Sequence, residues 1–208
     1  MTRRLGIFGA GGHGRSVASV ARAAGWTDIV FFDPDWPVRT NNAAWPIAGT
    51  GEDITEAIAA CDAVHVALGD NRKRLLLLDS LLSAGAEAPA LIHPTAWVCP
   101  DCSIGRGTAI MAQSAVNIGT RIGRGVIVNT GALLDHDTEI ADGGHLSPGS
   151  VLAGTVSVGE CAWIAVGAHV LPGIKIGSDA VVGGGALVHR EVPAGVTVVG
   201  VPAHSLDT

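Results

Sequence analysis

The feature that decides the fold is a period of six residues, seen in the stretch IGRGVIVNTGALLDHDTEIADGGHLSPGSVL, residues 122–152. Ile, Leu or Val occupies every sixth position here, and the same rule holds without a miss from Ile92 to Val188. Helices repeat every 3.6 residues and strands every two, so neither produces a period of six. The period indicates a solenoid of short strands that meet at corners.

This repeat predicts a three-sided coil with the aliphatic side chains inside and small residues fitting at the bends. At a strand spacing of roughly 4.8 Å, about five such coils would make a prism about 25 Å long. The C-terminal domain, residues 91–208, is therefore predicted to be an all-β parallel β-helix of hexapeptide repeats. Glycine directly follows several aliphatic residues, and there we expect a backbone conformation that a Cβ would resist: Gly105, Gly123, Gly159, Gly177 and Gly183.

The N-terminal domain, residues 1–90, has a different pattern, an alternation of strands and helices. An apolar strand over residues 5–8 is followed by a G-x-G-x-x-G loop, residues 9–14, and by a predicted helix over residues 15–24. In such a loop, backbone N–H groups and the positive end of the helix can bind phosphate oxygens. Gly11 and Gly12 are therefore predicted to contact a phosphate, and the domain to be a small α/β, Rossmann-like unit.

Three further residues of this domain are predicted to face the same ligand. A second strand over residues 29–32 ends in Asp33, an acceptor for a ribose hydroxyl or a base N–H, and Asp35 borders the same pocket. Arg72 begins a predicted helix that follows a third strand, and it could neutralise a phosphate. The domain is too short for a two-half dinucleotide fold, which argues against a dehydrogenase and leaves room for a nucleoside diphosphate.

The composition limits the partners. The formal net charge is −6, only 15% of the residues are charged, and no basic stripe is present, so we expect no nucleic-acid partner. No apolar run approaches the roughly 18 residues that a membrane helix needs. We therefore expect no membrane partner and a cytoplasmic protein.

Cys99 and Cys102 form a C-x-x-C pair. Zinc sites built from such pairs usually contain a second pair, and the sequence has none. Cys102 also falls on a small-residue position of the repeat. The pair is therefore predicted to be structural, and no metal is expected.

The combination of a short glycine-loop domain with an uninterrupted hexapeptide repeat, closed by Val199-Gly200-Val201-Pro202-Ala203, resembles the bacterial sugar-nucleotide acetyltransferases. This family includes UDP-4-amino-sugar N-acetyltransferases, GDP-perosamine N-acetyltransferase and the sialic acid O-acetyltransferase-like proteins. The resemblance covers essentially the whole chain. It implies a left-handed β-helix, a nucleotide sugar against the N-terminal domain, acetyl-CoA along the β-helix, and active sites between the protomers of a homotrimer.

The resemblance also assigns roles to individual residues. The family's catalytic histidine follows an N-T-x-x-x-x motif with an acidic residue after it, and this pattern matches residues 129–137, with His136 as the base and Asp137 as the acid. A second histidine nine residues on corresponds to His145. A glycine nine further, whose backbone meets the CoA arm, corresponds to Gly154. His13 matches a position near the substrate phosphates.

Acetyl transfer needs a base, and imidazole suits the task because its pKa lies near 6.5. His136 stands in an outward position of the repeat, so its ring can face a cleft, and either Asp137 or Asp135 could hold its other nitrogen. His145 lies half a coil away, roughly 14 Å across a triangular section. If both histidines serve one site, neighbouring subunits must supply them.

The resulting prediction is an acetyl-CoA-dependent N-acetyltransferase that acts on a nucleotide-linked amino sugar of the UDP-4-amino-sugar or GDP-perosamine type. One alternative is O-acetylation of a sugar or sialic acid by the same residues. Another is a zinc enzyme of the carbonic anhydrase type with His136, His145 and His169 as ligands, which the absence of a close histidine pair disfavours. The sequence does not choose between the nucleotide bases.

Overall fold

The computed structural model describes residues 3–206, and the chain divides between Pro94 and Thr95 into two compact units. The first unit has one main sheet in the order β3-β4-β2-β1-β5, parallel except for β3. Its strands are β1 (Arg4–Phe8), β2 (Asp28–Phe32), β3 (Asn41–Asn42), β4 (Trp45–Gly49) and β5 (Ala63–Val66), with β6 (Leu91–Ile92) near the end of the unit. Its helices are α1 (Gly12–Ala23), α2 (Ile54–Ala59) and α3 (Asn71–Ser83).

Local signals set the helix ends. Asp53 and Asp70 are the N-cap residues of α2 and α3, and each carboxylate accepts backbone N–H groups of the first turn. Helix α1 ends two residues before Gly25, whose φ of 97° is left-handed and whose N–H donates to the carbonyl of Arg22. All strands and helices predicted from the sequence are present. Helix α1, however, begins three residues earlier than predicted, inside the glycine loop, and β3, β4 and α2 were not predicted.

The second unit is a solenoid with three faces. Face 1 contains β7 (Trp97–Val98), β10 (Ala115–Val116), β13 (Leu133–Leu134), β16 (Val151–Leu152), β19 (His169–Val170) and β22 (Leu187–Val188). Face 2 contains β8 (Ser103–Ile104), β11 (Arg121–Ile122), β14 (Glu139–Ile140), β17 (Ser157–Val158) and β20 (Lys175–Ile176). Face 3 contains β9 (Ala109–Ile110), β12 (Ile127–Val128), β15 (His145–Leu146), β18 (Trp163–Ile164), β21 (Val181–Val182), β23 (Thr197–Val199) and β24 (His204–Ser205).

Strands of successive coils pair in parallel and in register, three hexads apart, so that Val116 pairs with Leu134 and Leu134 with Leu152. The aliphatic series is buried from Ile110 to Val188, which confirms the predicted interior; Val98 and Ile104 in the first coil are half-buried. Each coil therefore adds three aliphatic side chains to one continuous core.

The prediction for the glycines that follow the aliphatic residues was wrong. Gly105 and Gly159 do not have positive φ; a Cβ on either would overlap the backbone of the next coil. The left-handed position comes two residues later, as at Gly119, or is filled by another residue, as at Asp137 with φ 56°. The period alone does not distinguish a turn glycine from one required by close packing between coils.

Two further observations bear on the predictions. Among residues 3–206, no helix is long and apolar enough to cross a membrane. Cys99 and Cys102 are free thiols in one turn of the first coil, where the N–H of Cys102 donates to the carbonyl of Cys99 and its Sγ lies 3.0 Å from the carbonyl oxygen of Asn117.

Candidate active site

His136 lies at the corner where the chain passes from face 1 to face 2, in the turn between β13 and β14. The side chains of His136 and Asp137 are 53% and 64% exposed, so a ligand can reach them. The backbone of Asp137 is left-handed, a conformation that aspartate tolerates better than most residues. The outward orientation predicted for His136 is therefore present.

The two aspartates beside His136 do different things. Oδ2 of Asp137 lies 2.9 Å from Nδ1 of the imidazole, whereas Oδ1 of Asp135 accepts the backbone N–H of His136 at 2.8 Å. The bond to Asp137, with the charge of Asp135, raises the pKa of His136 above its ordinary value. Because a carboxylate only accepts, Nδ1 of the neutral ring carries the proton and Nε2 keeps its lone pair. The ring is thus arranged as a base with Nε2 as the reactive atom.

Gly154 lies in the corresponding turn of the next coil, directly against the imidazole. A Cβ built on Gly154 would overlap Nε2 of His136, so the missing side chain leaves room for the ring. The N–H of Thr155 donates to the carbonyl of His136 at 2.9 Å and holds the two turns together. The structure therefore brings Gly154 and His136, predicted from two separate motif matches, to the same place.

A groove of about 290 Å³ extends along face 1 from this corner. Outward side chains of three successive coils, Ala115, Leu133 and Val151, form much of its lining, and Asn117 and Asp135 lie in its wall toward the corner. Leu133 is 43% exposed, high for a leucine beside a polar turn. The groove can take a narrow, mostly apolar chain that ends at Asp135, the residue before His136.

His145 lies elsewhere, on β15 of face 3, and not beside His136. Its ring stacks on the indole of Trp163 in the next coil, with 6.0 Å between centroids and 15° between planes. The indole N–H donates to Oγ of Ser147 at 2.8 Å. Sequence reasoning missed Trp163, which lies one coil after His145 in the strand register.

The glycines of the loop in the first unit have different structural roles. Gly9 has φ 101° and makes the tight turn after β1. A Cβ on Gly14 would overlap the carbonyl oxygen of Gly9, so this glycine permits close packing of α1 on the strand. A Cβ on Gly11 or Gly12 would meet nothing within 4 Å. Packing does not require those two, and they leave the start of α1 open to a ligand.

Asp33, which follows β2, binds the glycine loop through a hydrogen bond. Its Oδ2 accepts the N–H of Ala10 at 2.6 Å, and its Oδ1 lies 3.1 Å from Nη2 of Arg39. Burial works to raise the pKa of Asp33, but the N–H groups of Ala10 and Asp35 and the Arg39 guanidinium outweigh it and lower the pKa. Asp35, predicted beside the base pocket, is largely exposed and pairs with the same Arg39 at 3.3 Å.

The residues that hold the loop from the other side were not predicted. Nη1 of Arg39 donates to the carbonyl of Ala10 at 2.7 Å, and the buried Asn42 donates to the carbonyl of Gly11 at 3.1 Å. Both come from the segment that follows β2, and nothing in their sequence pattern marks them. With its carbonyls held in this way, the loop keeps a defined conformation at the start of α1.

His13 lies in the first turn of α1, above two buried basic side chains. His65 on β5 is 1% exposed, and Arg74 on α3, also 1% exposed, donates to the carbonyl of Leu68 at 2.9 Å. Burial and the charge of Arg74 lower the pKa of His13 to about 4, and burial is the largest cause that lowers the pKa of His65 to about 3. Both imidazoles are neutral at pH 7. Arg72 lies exposed in the first turn of α3.

The three histidines of the zinc alternative lie apart: His136 is at the corner of faces 1 and 2, His145 is on face 3, and His169 is on face 1. Within the described part of the chain, no group of three or more His, Cys, Asp or Glu side chains is arranged to hold a metal ion.

Comparison with known proteins identifies relatives over the whole chain. Residues 4–81 match the family model of the PglD N-terminal domain. PerB from Caulobacter crescentus, in complex with CoA and GDP-perosamine, is 39% identical with a TM-score of 0.93, over 98% of this chain and 97% of that one. The acetyltransferase domain of PglB from Neisseria gonorrhoeae, in complex with acetyl coenzyme A, is 36% identical with a TM-score of 0.92, over 99% and 100%. WeeI from Acinetobacter baumannii is 28% identical with a TM-score of 0.88, over 97% and 99%. No curated protein matches the chain by sequence.

The fold and the candidate site together indicate an acyltransferase. The chain has a glycine-loop α/β unit followed by a hexapeptide-repeat β-helix, which carries an exposed histidine–aspartate pair at one corner. The similarity to PerB and PglB extends over nearly the full length of all three chains. The chain belongs to their family, the acetyl-CoA-dependent sugar N-acetyltransferases.

Proposed function

We propose that the protein transfers the acetyl group of acetyl-CoA to the amino group of a nucleotide-linked amino sugar, with His136 as the general base. The observation that carries this proposal is the pairing of Nδ1 with Asp137, which leaves Nε2 of an exposed imidazole free to accept a proton. The bound CoA and GDP-perosamine of PerB support both substrate classes.

His136 acts twice in the proposed reaction. Nε2 removes a proton from the attacking amine as its nitrogen bonds to the thioester carbonyl carbon, and Asp137 stabilises the imidazolium that forms. When the carbon–sulfur bond breaks, the imidazolium returns the proton to the leaving thiolate. The raised pKa of His136 makes it a stronger base than an isolated histidine, so proton removal gains driving force.

The groove on face 1 is the proposed place for the pantetheine arm of acetyl-CoA. Its lining by Ala115, Leu133 and Val151 suits a narrow chain of low polarity, and its polar end at Asp135 lies beside the catalytic turn. Gly154 lies against Nε2 and would hold its backbone near the thioester. The chain itself thus supplies an arm-binding surface that leads to the base.

The start of α1 is the proposed place for the diphosphate. Gly11 and Gly12 leave it open, and the N–H groups of a first helical turn, together with the helix dipole, attract phosphate oxygens. His13 is neutral at pH 7, so it would contribute a hydrogen bond and not a charge. The residues at 1–90 thus bind the nucleotide sugar and those at 91–208 perform the transfer, with Asp33, Asp35 and Arg72 bordering the nucleotide.

The active unit is proposed to be a homotrimer in the cytoplasm, where acetyl-CoA is available. Trp97 on face 1 is 60% exposed, and a neighbouring subunit would cover this large apolar side chain. His145 lies on another face from His136, so a contribution to the same site requires a second protomer.

The substrate proposal is tested by measuring thiol release from acetyl-CoA with GDP-perosamine, with a UDP-4-amino-sugar, and with the matching 4-hydroxy sugar nucleotides. GDP-perosamine comes first because the 39% identical PerB binds it. We expect release only with an amino sugar. Release with a hydroxy sugar alone would reject N-acetylation in favour of O-acetylation, and mass spectrometry of the product distinguishes amide from ester.

A further inference from the structure

The carboxylate of Asp137 rests on a glycine of the preceding coil. A Cβ built on Gly119 would overlap Oδ1 of Asp137, while Oδ2 of the same carboxylate faces Nδ1 of His136. The N–H of Asp137 donates to the carbonyl of Ile118 at 2.9 Å, so the two turns are directly joined. With Gly154 against the imidazole, the histidine–aspartate pair lies between two glycines, one from the coil before it and one from the coil after it.

We propose that Gly119 is a positioning residue for catalysis: its missing side chain forms the socket that aims the Asp137 carboxylate at Nδ1 of His136. The inference rests on the proposed role of His136 as the base. Gly119 touches neither substrate nor the reacting atoms; it acts through Asp137.

The backbone at this corner does not by itself explain the glycine. Residues 119, 137, 155 and 173 occupy the same corner in successive coils, and all four have left-handed backbones, with φ of 74°, 56°, 60° and 74°. Asp137 and Thr155 show that the corner accepts a side chain. The turn alone therefore does not explain why residue 119 has no side chain. The Asp137 carboxylate does, because it occupies the space that a Cβ at position 119 would need.

Gly173 is a matched control for the backbone contribution. It shares the corner and the φ of 74° with Gly119, but the nearest atom to a Cβ built on it is Oγ1 of Thr155 at 3.8 Å, an ordinary contact. Alanine at either position therefore introduces the same backbone strain. Only Gly119→Ala also displaces a carboxylate, and that carboxylate ends a flexible side chain, so the fold can accommodate the change.

The first measurement is the titration of His136 by NMR in the full-length protein, compared among wild type, Gly119→Ala and Gly173→Ala. The charged groups acting on this ring are Asp137 and Asp135; Gly154 and Thr155 in the next coil and Gly119 in the preceding one carry no charge. Displacing Asp137 removes the largest cause of the raised pKa, so the pKa should fall in Gly119→Ala and stay unchanged in Gly173→Ala. Thermal melting should shift equally in both variants.

The second measurement is activity in a double-mutant cycle with Asp137→Ala. Gly119→Ala should lower kcat by about tenfold and move the acidic limb of the pH profile to lower pH, because a less basic imidazole removes the proton less well. In the Asp137→Ala background, Gly119→Ala should have no further effect on kcat. An undiminished effect in that background, or a His136 pKa unchanged by Gly119→Ala, would overturn the inference. The NMR result does not depend on the reaction, so it stands even if the substrate proposal fails.

Discussion

The two units of the molecule build their sites in different ways. In the β-helix, the proposed catalytic turn, Asp135 to Asp137, is one short segment, and the groups that support it, Gly119 and Gly154, come from the neighbouring coils at the same corner. In the α/β unit, the glycine loop is held by Asp33, Arg39 and Asn42, which all come from the segment after β2, 23 to 31 residues further along the chain than the loop residues they contact.

This difference follows from the connectivity. A solenoid stacks residues at a constant interval, so position along the sequence translates directly into position on a face or a corner. An α/β sheet brings together the carboxyl ends of strands that are distant in sequence, and the loops that follow them have no period. Substitutions at the catalytic corner of the second unit should therefore lower kcat. Substitutions in the first unit should raise the KM for the nucleotide sugar, even at residues that do not contact it.

The largest expected effect is the loss of the base. His136→Ala should lower kcat/KM for the amino sugar by about 10²- to 10⁴-fold, the usual contribution of general base catalysis. His136 is exposed, so the thermal melting curve should barely change. Asp137→Asn keeps the imidazole but weakens its support, so it should fall between wild type and His136→Ala in thiol release. Wild-type activity in His136→Ala would place the base elsewhere.

The next effect separates the inside from the outside of one strand. Ile140 of β14 is 3% exposed, and its neighbour Glu139 points outward to Arg121. Ile140→Ala should reduce the free energy of unfolding by about 2–5 kcal/mol, because it leaves a cavity in the coil. Glu139→Ala removes only an exposed ion pair and should cost about 0–1 kcal/mol. Urea denaturation measures both, and equal costs would contradict the inward–outward alternation.

The β-helix could be predicted almost completely from the sequence because its core residues recur at a constant spacing of six. The aliphatic positions followed from the period, and the outward position of His136 followed from its place two residues after Leu134. What failed was the left-handed position of the turns, at residues such as Gly119. That position depends on how one coil packs on the next, and the spacing of the aliphatic residues carries no information about this packing.

The glycine-loop unit was predictable only where a local signal exists. The turn at Gly9 and the helix after it are visible in the G-x-G-x-x-G spacing. Arg39 stands in an irregular segment without periodicity, and Arg74 looks like an ordinary polar residue at the start of a leucine-rich helix. Their roles depend on contacts across the unit, with Ala10 and Leu68, that no spacing in the sequence predicts.

Acid should destabilise the first unit before the second. His65 is fully buried with a pKa of about 3, far below the value of about 6.5 in an unfolded chain. Protonation of His65 therefore favours unfolding. The contribution of the neutral imidazole to the free energy of unfolding is complete above about pH 6.5, and it decreases as the pH decreases, by roughly 2 kcal/mol at pH 5. His65→Gln should reduce the loss of stability between pH 7 and pH 5 in urea denaturation, and the part that remains should come from His13, whose pKa burial also lowers.

His169→Gln, which changes an exposed histidine of face 1, is the matched control and should leave the pH dependence as in wild type. From pH 7 to pH 5, hydrogen-exchange protection relative to the unfolded chain should fall in α1 and β5 and stay high in the strands of the β-helix. A wild-type pH slope in His65→Gln would show that the buried imidazole is not the source.

The smallest effect tests the remote contacts of the glycine loop. Arg39→Ala removes the donor to the carbonyl of Ala10 and leaves Asp33 without its counter-charge, near the start of α1 where the diphosphate is proposed to bind. The loss of roughly 1.5 kcal/mol corresponds to a KM for the nucleotide sugar about tenfold higher. The KM for acetyl-CoA should not change. Arg4→Ala, which breaks an exposed ion pair with Asp28 at the opposite end of β1, should alter neither KM. If Arg39→Ala instead lowered kcat at unchanged KM, the first unit would take part in the chemical step, and the separation between the two units would not hold.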